Sequence, residues 1–115
     1  MARVCWTVRL SAAAEQDYQN IFRWTREKFG LAQAQLYANT ISAALKDLRA
    51  GPETIGVKAC DEIGINIKTL HIARKGRKGR HFLMCRTDDA QGQKMIVVLR
   101  ILHESMDLAR HLPPL

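Results

Sequence analysis

The chain has 115 residues and a formal net charge of +7, with 18 lysines and arginines against 11 aspartates and glutamates. At that length a single compact domain, 1–115, is expected, burying about two-thirds of the surface its unfolded form exposes, and no run reaches the ~20 apolar residues of a membrane span. Three cysteines, Cys5, Cys60 and Cys85, lack Cys-x-x-Cys spacing and no apolar leader precedes the first element, which argues against a disulfide scaffold and for a cytoplasmic protein whose reduced thiols pack as small hydrophobes.

From Arg3 to Leu10 apolar residues alternate, with Val4, Trp6, Val8 and Leu10 on one side and Arg3, Cys5, Thr7 and Arg9 on the other, the period of a half-exposed strand near a sheet edge. Ser11 is a suitable N-cap, and Glu15 and Asp17 place negative charge in the early turns of a first helix. Its apolar stripe runs through Ala14, Tyr18, Ile21, Phe22, Thr25 and Phe29, and Trp24 falls off that stripe. Gly30 ends this helix. A second stripe, Ala34, Tyr37, Ala38, Ile41, Ala44, Leu45 and Leu48, predicts a helix to about Ala50, stopped by Gly51-Pro52. So short a link between two amphipathic helices predicts an antiparallel hairpin.

Residues Glu53 to Gly64 show no periodicity and read as an irregular connection. Strands follow at about Ile65–Ala73 and Arg80–Thr87, joined by short glycine-containing links to a third over Met95–Leu102, which together predict an antiparallel meander. Met95 to Leu102 is apolar at every position except Arg100, as in a strand covered on both faces. The polar step His103-Glu104 leads into Met106, Asp107, Leu108 and Ala109, a short terminal helix stopped by Pro113 and Pro114. The fold class expected is α+β, in the order β-α-α-β-β-β, with the helical hairpin packed on a small, mainly antiparallel sheet.

Two features carry functional expectations. Arg74, Lys75, Arg77, Lys78 and Arg80 are five cations within seven residues and leave a net +2 for the remainder. A soluble turn needs fewer, so the cluster predicts a contact surface for an anionic partner, joined by Trp24 if that indole is exposed. The last strand ends in polar residues, of which Arg100, on an otherwise apolar strand, calls for an acidic partner such as Asp61 or Glu62. His103 reads as structural, held by Glu104, Asp107 or a carbonyl. His71, His81, His103 and His111 lack metal-ligand spacing. The glycines of the basic turn precede no helix that could hold a phosphate. Neither a metal nor a cofactor is expected.

The element order, Ala14-x-x-Asp17-Tyr18-x-x-Ile21, Phe29-Gly30, Pro52 and Arg86 at the end of the Arg80–Thr87 strand resemble the RelE/ParE toxin superfamily over residues 3–112. The ending Ile101-Leu102-His103-Glu104-x-Met106-Asp107 resembles its ParE branch. That resemblance implies the toxin of a type II toxin–antitoxin pair, a plasmid-stabilisation type of system. The toxin would bind a ParD-like antitoxin in a hetero-oligomer and inhibit DNA gyrase by protein–protein contact, without catalysis. Many members carry a tyrosine before that arginine, where this chain has Cys85. The alternative is a RelE-like ribosome-dependent messenger RNA endoribonuclease, for which Arg86, Arg100, His103 and Glu104 would have to assemble as cation clamp and proton-transfer groups. Direct nucleic-acid binding through the basic hairpin alone is a third class, and it is not expected.

Overall fold

The computed structural model describes residues 5–54, 56–60, 64, 66–88 and 92–105. Along the chain run β1 (Thr7–Leu10), α1 (Ala12–Phe29), α2 (Leu31–Asp47), a single 3-10 turn (Leu48–Ala50), β2 (Lys58–Ala59), β3 (Ile67–His71), β4 (His81–Asp88) and β5 (Met95–His103). The sheet order is β1-β5-β4-β3-β2. β1 lies parallel to β5 at one edge, and every other pairing is antiparallel. The expected α+β architecture, hairpin and meander are therefore present. The terminal helix expected from Met106 lies outside the described residues, as do Arg3 and Val4 of the first strand.

The main core lies between the hairpin and the sheet. Ala14, Ile41, Ala44 and Leu48 from the helical layer meet Leu70, Leu83, Ile96, Val98 and Ile101 from the strands. Alanines on the inner stripe let the helix backbones approach the sheet closely. A smaller cluster, Ile67, Met84, Leu99 and Leu102, occupies the opposite face, which explains why β5 is apolar on both sides. A bulge divides β5: Met84 pairs with Arg100 and Cys85 with Val98, so Leu99 is passed over. The extra residue reverses the phase of the strand. Ile101 thereby faces the helices, as Ile96 and Val98 do, and Leu102 faces away.

The bulge is also where β1 stops. β1 pairs with β5 only as far as Leu10 opposite Val98, and the start of α1 takes over the edge of the strand beyond that point. The Ser11 amide donates to the Val98 carbonyl at 2.9 Å, and its hydroxyl donates to the Leu99 carbonyl at 2.8 Å while capping the Ala14 amide at 3.1 Å. One turn on, an Asp17 oxygen accepts from the Ile101 amide at 2.9 Å. The same carboxylate grips Arg100 with both oxygens, at 2.7 Å from Nε and 2.9 Å from Nη2. The acid that Arg100 requires is thus Asp17 on α1. Asp61 and Glu62, the partners expected from sequence, lie outside the described residues.

Other expectations also change. The second α-helix ends at Asp47 and tightens into the 3-10 turn before Gly51. Gly51 has a second role besides breaking the helix: a Cβ there would stand 2.6 Å from the Trp6 indole nitrogen, so only glycine lets the half-buried tryptophan lie on the chain. The connection after Pro52 is not wholly irregular, because Lys58 and Ala59 pair with Thr69 and Lys68 as a two-residue edge strand. Phe29 is not an inner residue but 65% exposed. No α1 residue beyond Ile21 joins the main core, so the distal half of the hairpin projects past the sheet with only Thr25 and Ala34 buried within it.

Removing the Asp17 carboxylate leaves the Arg100 cation unpaired and the Ile101 amide without its acceptor. Asp17→Ala is expected to cost about 3 kcal/mol, lowering the thermal midpoint by on the order of 10 °C. Paired urea and calorimetric unfolding of parent and variant would measure it, and a loss below about 1 kcal/mol would show that β5 is held to α1 by apolar packing alone.

Candidate functional site

Three surfaces gather the residues singled out in the sequence. The first is the polar end of the sheet, where β3 and β5 finish and β4 begins. His81 lies opposite His103 across β4 and β5, with the two rings 5.3 Å apart, edge to face. Tyr37 reaches from α2 to hydrogen-bond His81 Nδ1 and accepts from the Arg80 amide at 2.9 Å. That approach depends on Gly79, since a Cβ there would sit 2.5 Å from Ile72 and 3.4 Å from the Tyr37 oxygen. Glu104 pairs with His71 Nε2 at 2.9 Å, and not with His103. His103 instead accepts from the Ser105 amide at 3.1 Å through Nδ1, which also meets the Ser105 hydroxyl at 2.8 Å.

Electrostatics at this end disfavour charge on the inner groups. Burial, then the neighbouring His103 and His71, push His81 down to about 4 despite Glu104 and Asp17, so it is a neutral imidazole at neutral pH. Burial likewise raises the Tyr37 hydroxyl above its usual range. The hydrogen bond from His71 holds the Glu104 carboxyl below the usual carboxylate range. All three cysteines are free. Burial pushes the Cys85 thiol up to about 12, which leaves it unionised and unsuited to attack.

The four residues that a nuclease would need are not brought together. His103 and Glu104 share the sheet end, but Arg100 is engaged by both oxygens of Asp17 through Nε and Nη2. Arg86 pairs across to Val97, five residues along β4 from the His81–His103 pair, a separation of about 16 Å along the strand. Among the described residues no group of three or more histidines, cysteines, aspartates or glutamates is placed to hold a metal ion.

The second surface is the basic turn. Three of its five cations converge on one carboxylate at the end of α2. Asp47 accepts from Arg77 Nη2 at 2.7 Å and from Lys75 Nζ at 3.3 Å, and Arg74 Nε lies 3.1 Å away. Burial alone would raise the Asp47 carboxyl, but the hydrogen bonds from Arg77 and Lys75 outweigh it and the group titrates below its ordinary 3.8. Of the cluster, only Lys78 and Arg80 make no ion pair among the described residues, so the positive surface is smaller than five charges suggest. Nothing in the sequence singles out Asp47, which reads there as one more polar residue near a helix end.

The third surface is the hairpin tip. Trp24 is 55% exposed and stacks edge-on against Phe29, ring centroids 5.9 Å apart, with Leu31 and Leu36 also exposed nearby in the chain. These four are the large hydrophobic residues exposed among the described residues. Arg23 and Arg26 line an adjacent groove with Tyr18 and Phe22. Single exposed apolar residues are ordinary, whereas a stacked aromatic pair in solvent is a candidate contact surface. Among the described residues no helix is long and apolar enough to cross a membrane.

This geometry has known relatives. A family model described as ParE toxin of the type II toxin–antitoxin system parDE matches residues 8–108. The chain belongs to the ParE toxin family. It is similar to Toxin ParE1 of Mycobacterium tuberculosis, 35% identical over 103 residues that cover 90% of this chain and 94% of that one. It is also similar to Toxin ParE of Escherichia coli, 32% identical with 90% and 89% covered. Among solved structures, the chromosomal ParDE toxin–antitoxin system of P. aeruginosa shares the fold at a TM-score of 0.70 and 17% identity, covering 89% of this chain and 98% of that chain. The toxin–antitoxin complex RelBE2 of Mycobacterium tuberculosis shares it at 0.57 and 22%, with 91% and 98% covered. At these identities the structural likeness is one of fold.

In this ParE family member the buried imidazole makes stability depend on pH. The folded-state pKa of His81, about 4, lies below the unfolded value of about 6.5. Its contribution is therefore complete above about pH 6.5 and lost as pH falls toward 4. Asp47 adds a loss only below its ordinary 3.8. The thermal midpoint is expected to fall between pH 7 and pH 5 in the parent and to fall markedly less in His81→Asn. Equal slopes by scanning calorimetry would contradict the assignment.

Proposed function

We propose that this chain is the toxin of a type II toxin–antitoxin pair that a ParD-like antitoxin neutralises and that acts on DNA gyrase by protein–protein contact. The observation that supports non-catalytic action is the dispersal of the nuclease set: Arg100 is sealed against Asp17, Arg86 stands about 16 Å along the sheet from His103, and Glu104 is held by His71. Phosphodiester cleavage by a 2′-hydroxyl needs a base, an acid and a cation at one phosphate. The surfaces that remain open suit docking. The hairpin tip supplies an aromatic anchor in Trp24, and Lys78 and Arg80 supply positive charge for an acidic partner. An antitoxin would bind through a segment that folds on the toxin, with acidic residues toward the basic turn and apolar residues in the grooves. Gyrase as target places the site of action in the cytoplasm.

Three measurements test this reading. Co-expression with the neighbouring reading frame is expected to co-purify a small acidic protein. The purified chain is expected to inhibit gyrase supercoiling, and Trp24→Ala to weaken that inhibition by about tenfold or more without moving the thermal midpoint. A parallel assay of ribosome-dependent messenger RNA cleavage is expected to show none. Cleavage that His103→Ala abolishes, with supercoiling untouched, would overturn the proposal in favour of a RelE-like nuclease.

A further inference from the structure

The junction between the end of α2 and the β3–β4 turn is an open groove of about 1150 Å³, lined by Lys46, Asp47, Glu53, His71, Arg74 and Arg77 among others. On it, cations outnumber the acceptor they share. Asp47 offers two oxygens to Lys75, Arg77 and Arg74, and the last of these is left over. Arg74 Nε lies within ion-pair distance of Oδ2 without hydrogen-bond alignment, and both Nε and Nη1 of Arg74, like Nε of Arg77, are buried donors with no acceptor. Arg74 is only 13% exposed at its side chain. A buried N–H without an acceptor is destabilising, more so on a cation, so the site gains from any carboxylate that reaches it.

We infer that this groove is a carboxylate-binding subsite in which the Arg74 guanidinium takes one Asp or Glu side chain of an acidic, extended peptide segment. The inference rests on the proposed antitoxin reading for the source of that segment, and on the groove's own charge and geometry for its chemistry. Guanidinium and carboxylate match as parallel donors and acceptors, an arrangement that an ammonium cannot reproduce. The groove discriminates against a nucleic-acid phosphate. The Arg74 side chain is only 13% exposed, so a carboxylate on a flexible stem approaches it more readily than a phosphate fixed on a stiff, wide duplex backbone.

The test uses the full chain labelled with nitrogen-15, following the Arg74 Nε–H signal, identified by its loss in Arg74→Lys. Probes are the blocked tripeptide acetyl-Ala-Glu-Ala-amide, its glutamine counterpart, inorganic phosphate and a random DNA duplex. The glutamate peptide is expected to shift that signal saturably and the glutamine peptide to leave it in place. By peptide-induced shifts of backbone amides, Arg74→Gln is expected to weaken binding by about tenfold or more, and Lys78→Gln, outside the groove, by less than about twofold. Should Arg74→Gln fail to fold by circular dichroism, Arg74→Lys keeps the charge beside Asp47 without the fork and must show the same loss. Unchanged peptide affinity in the folded variant, or a larger shift with phosphate or duplex than with the glutamate peptide, overturns the subsite. If the neighbouring frame yields no partner while the glutamate peptide still titrates Arg74, the antitoxin reading fails and the subsite stands. If a partner co-purifies and Arg74→Gln leaves its affinity unchanged, the subsite alone fails.

Discussion

The contact of Asp17 with Arg100 and the Ile101 amide decides how the two layers meet. β5 is the strand around which the sheet is built, yet its own neighbour β1 accompanies it only to Val98. Beyond that point a bare strand edge would carry unpaired amides and carbonyls into the interior, at a cost of several kcal/mol. The first two turns of α1 meet this need from the side: a capping serine supplies both an amide and a hydroxyl, and an aspartate supplies an acceptor and a counter-charge. The bulge at Leu99 belongs to the same arrangement. It reverses the strand's phase where the ladder changes hands, so Ile101 returns to the core beneath the helices while Arg100 meets the helical carboxylate.

Fixing α1 at its start fixes what lies at its far end. The hairpin is clamped to the sheet through Ala14, Tyr18 and Ile21 on one helix and Tyr37, Ile41 and Ala44 on the other, and in the distal half Thr25 and Ala34 are the residues buried. A projecting, self-supported tip keeps Trp24 and Phe29 in solvent at a defined position. Under the proposed reading that rigidity favours docking, because an aromatic anchor already ordered loses little entropy when a partner binds. The groove at the opposite end of α2 follows a different logic. There, cations are crowded on a single carboxylate, so the positive field is stored close to the surface and not wholly neutralised.

Membership of the ParE toxin family fixes the kind of molecule this is, while the side chains decide how it can work. The fold is shared with a RelBE complex as well as a ParDE one, and fold alone does not assign chemistry. The pairing of charged groups is what supports the proposed docking over cleavage: the Arg100 guanidinium, held by both oxygens of Asp17, is engaged in joining helix to sheet.

Local patterns in the chain were enough to read the elements in order apart from β2, together with the hairpin, the meander and the identity of the two-faced strand, because these follow from period-two and period-3.6 apolar patterns and from caps and breakers within a few residues of one another. They also carried the family resemblance. Packing between distant segments settled which acid Arg100 meets, that Glu104 turns to His71 and not to His103, that Phe29 is solvent-exposed, and that Lys58 and Ala59 form an edge strand. It alone showed that three of the five turn cations share Asp47, about 28 residues upstream of Lys75. The physical reason is common to all of these. Periodicity reports which face of an element is apolar, but the partner of a charge and the reach of a layer depend on how far one element extends past another. That is settled by packing between segments distant in the chain: Asp17 and Arg100 stand 83 residues apart, and no local pattern links them.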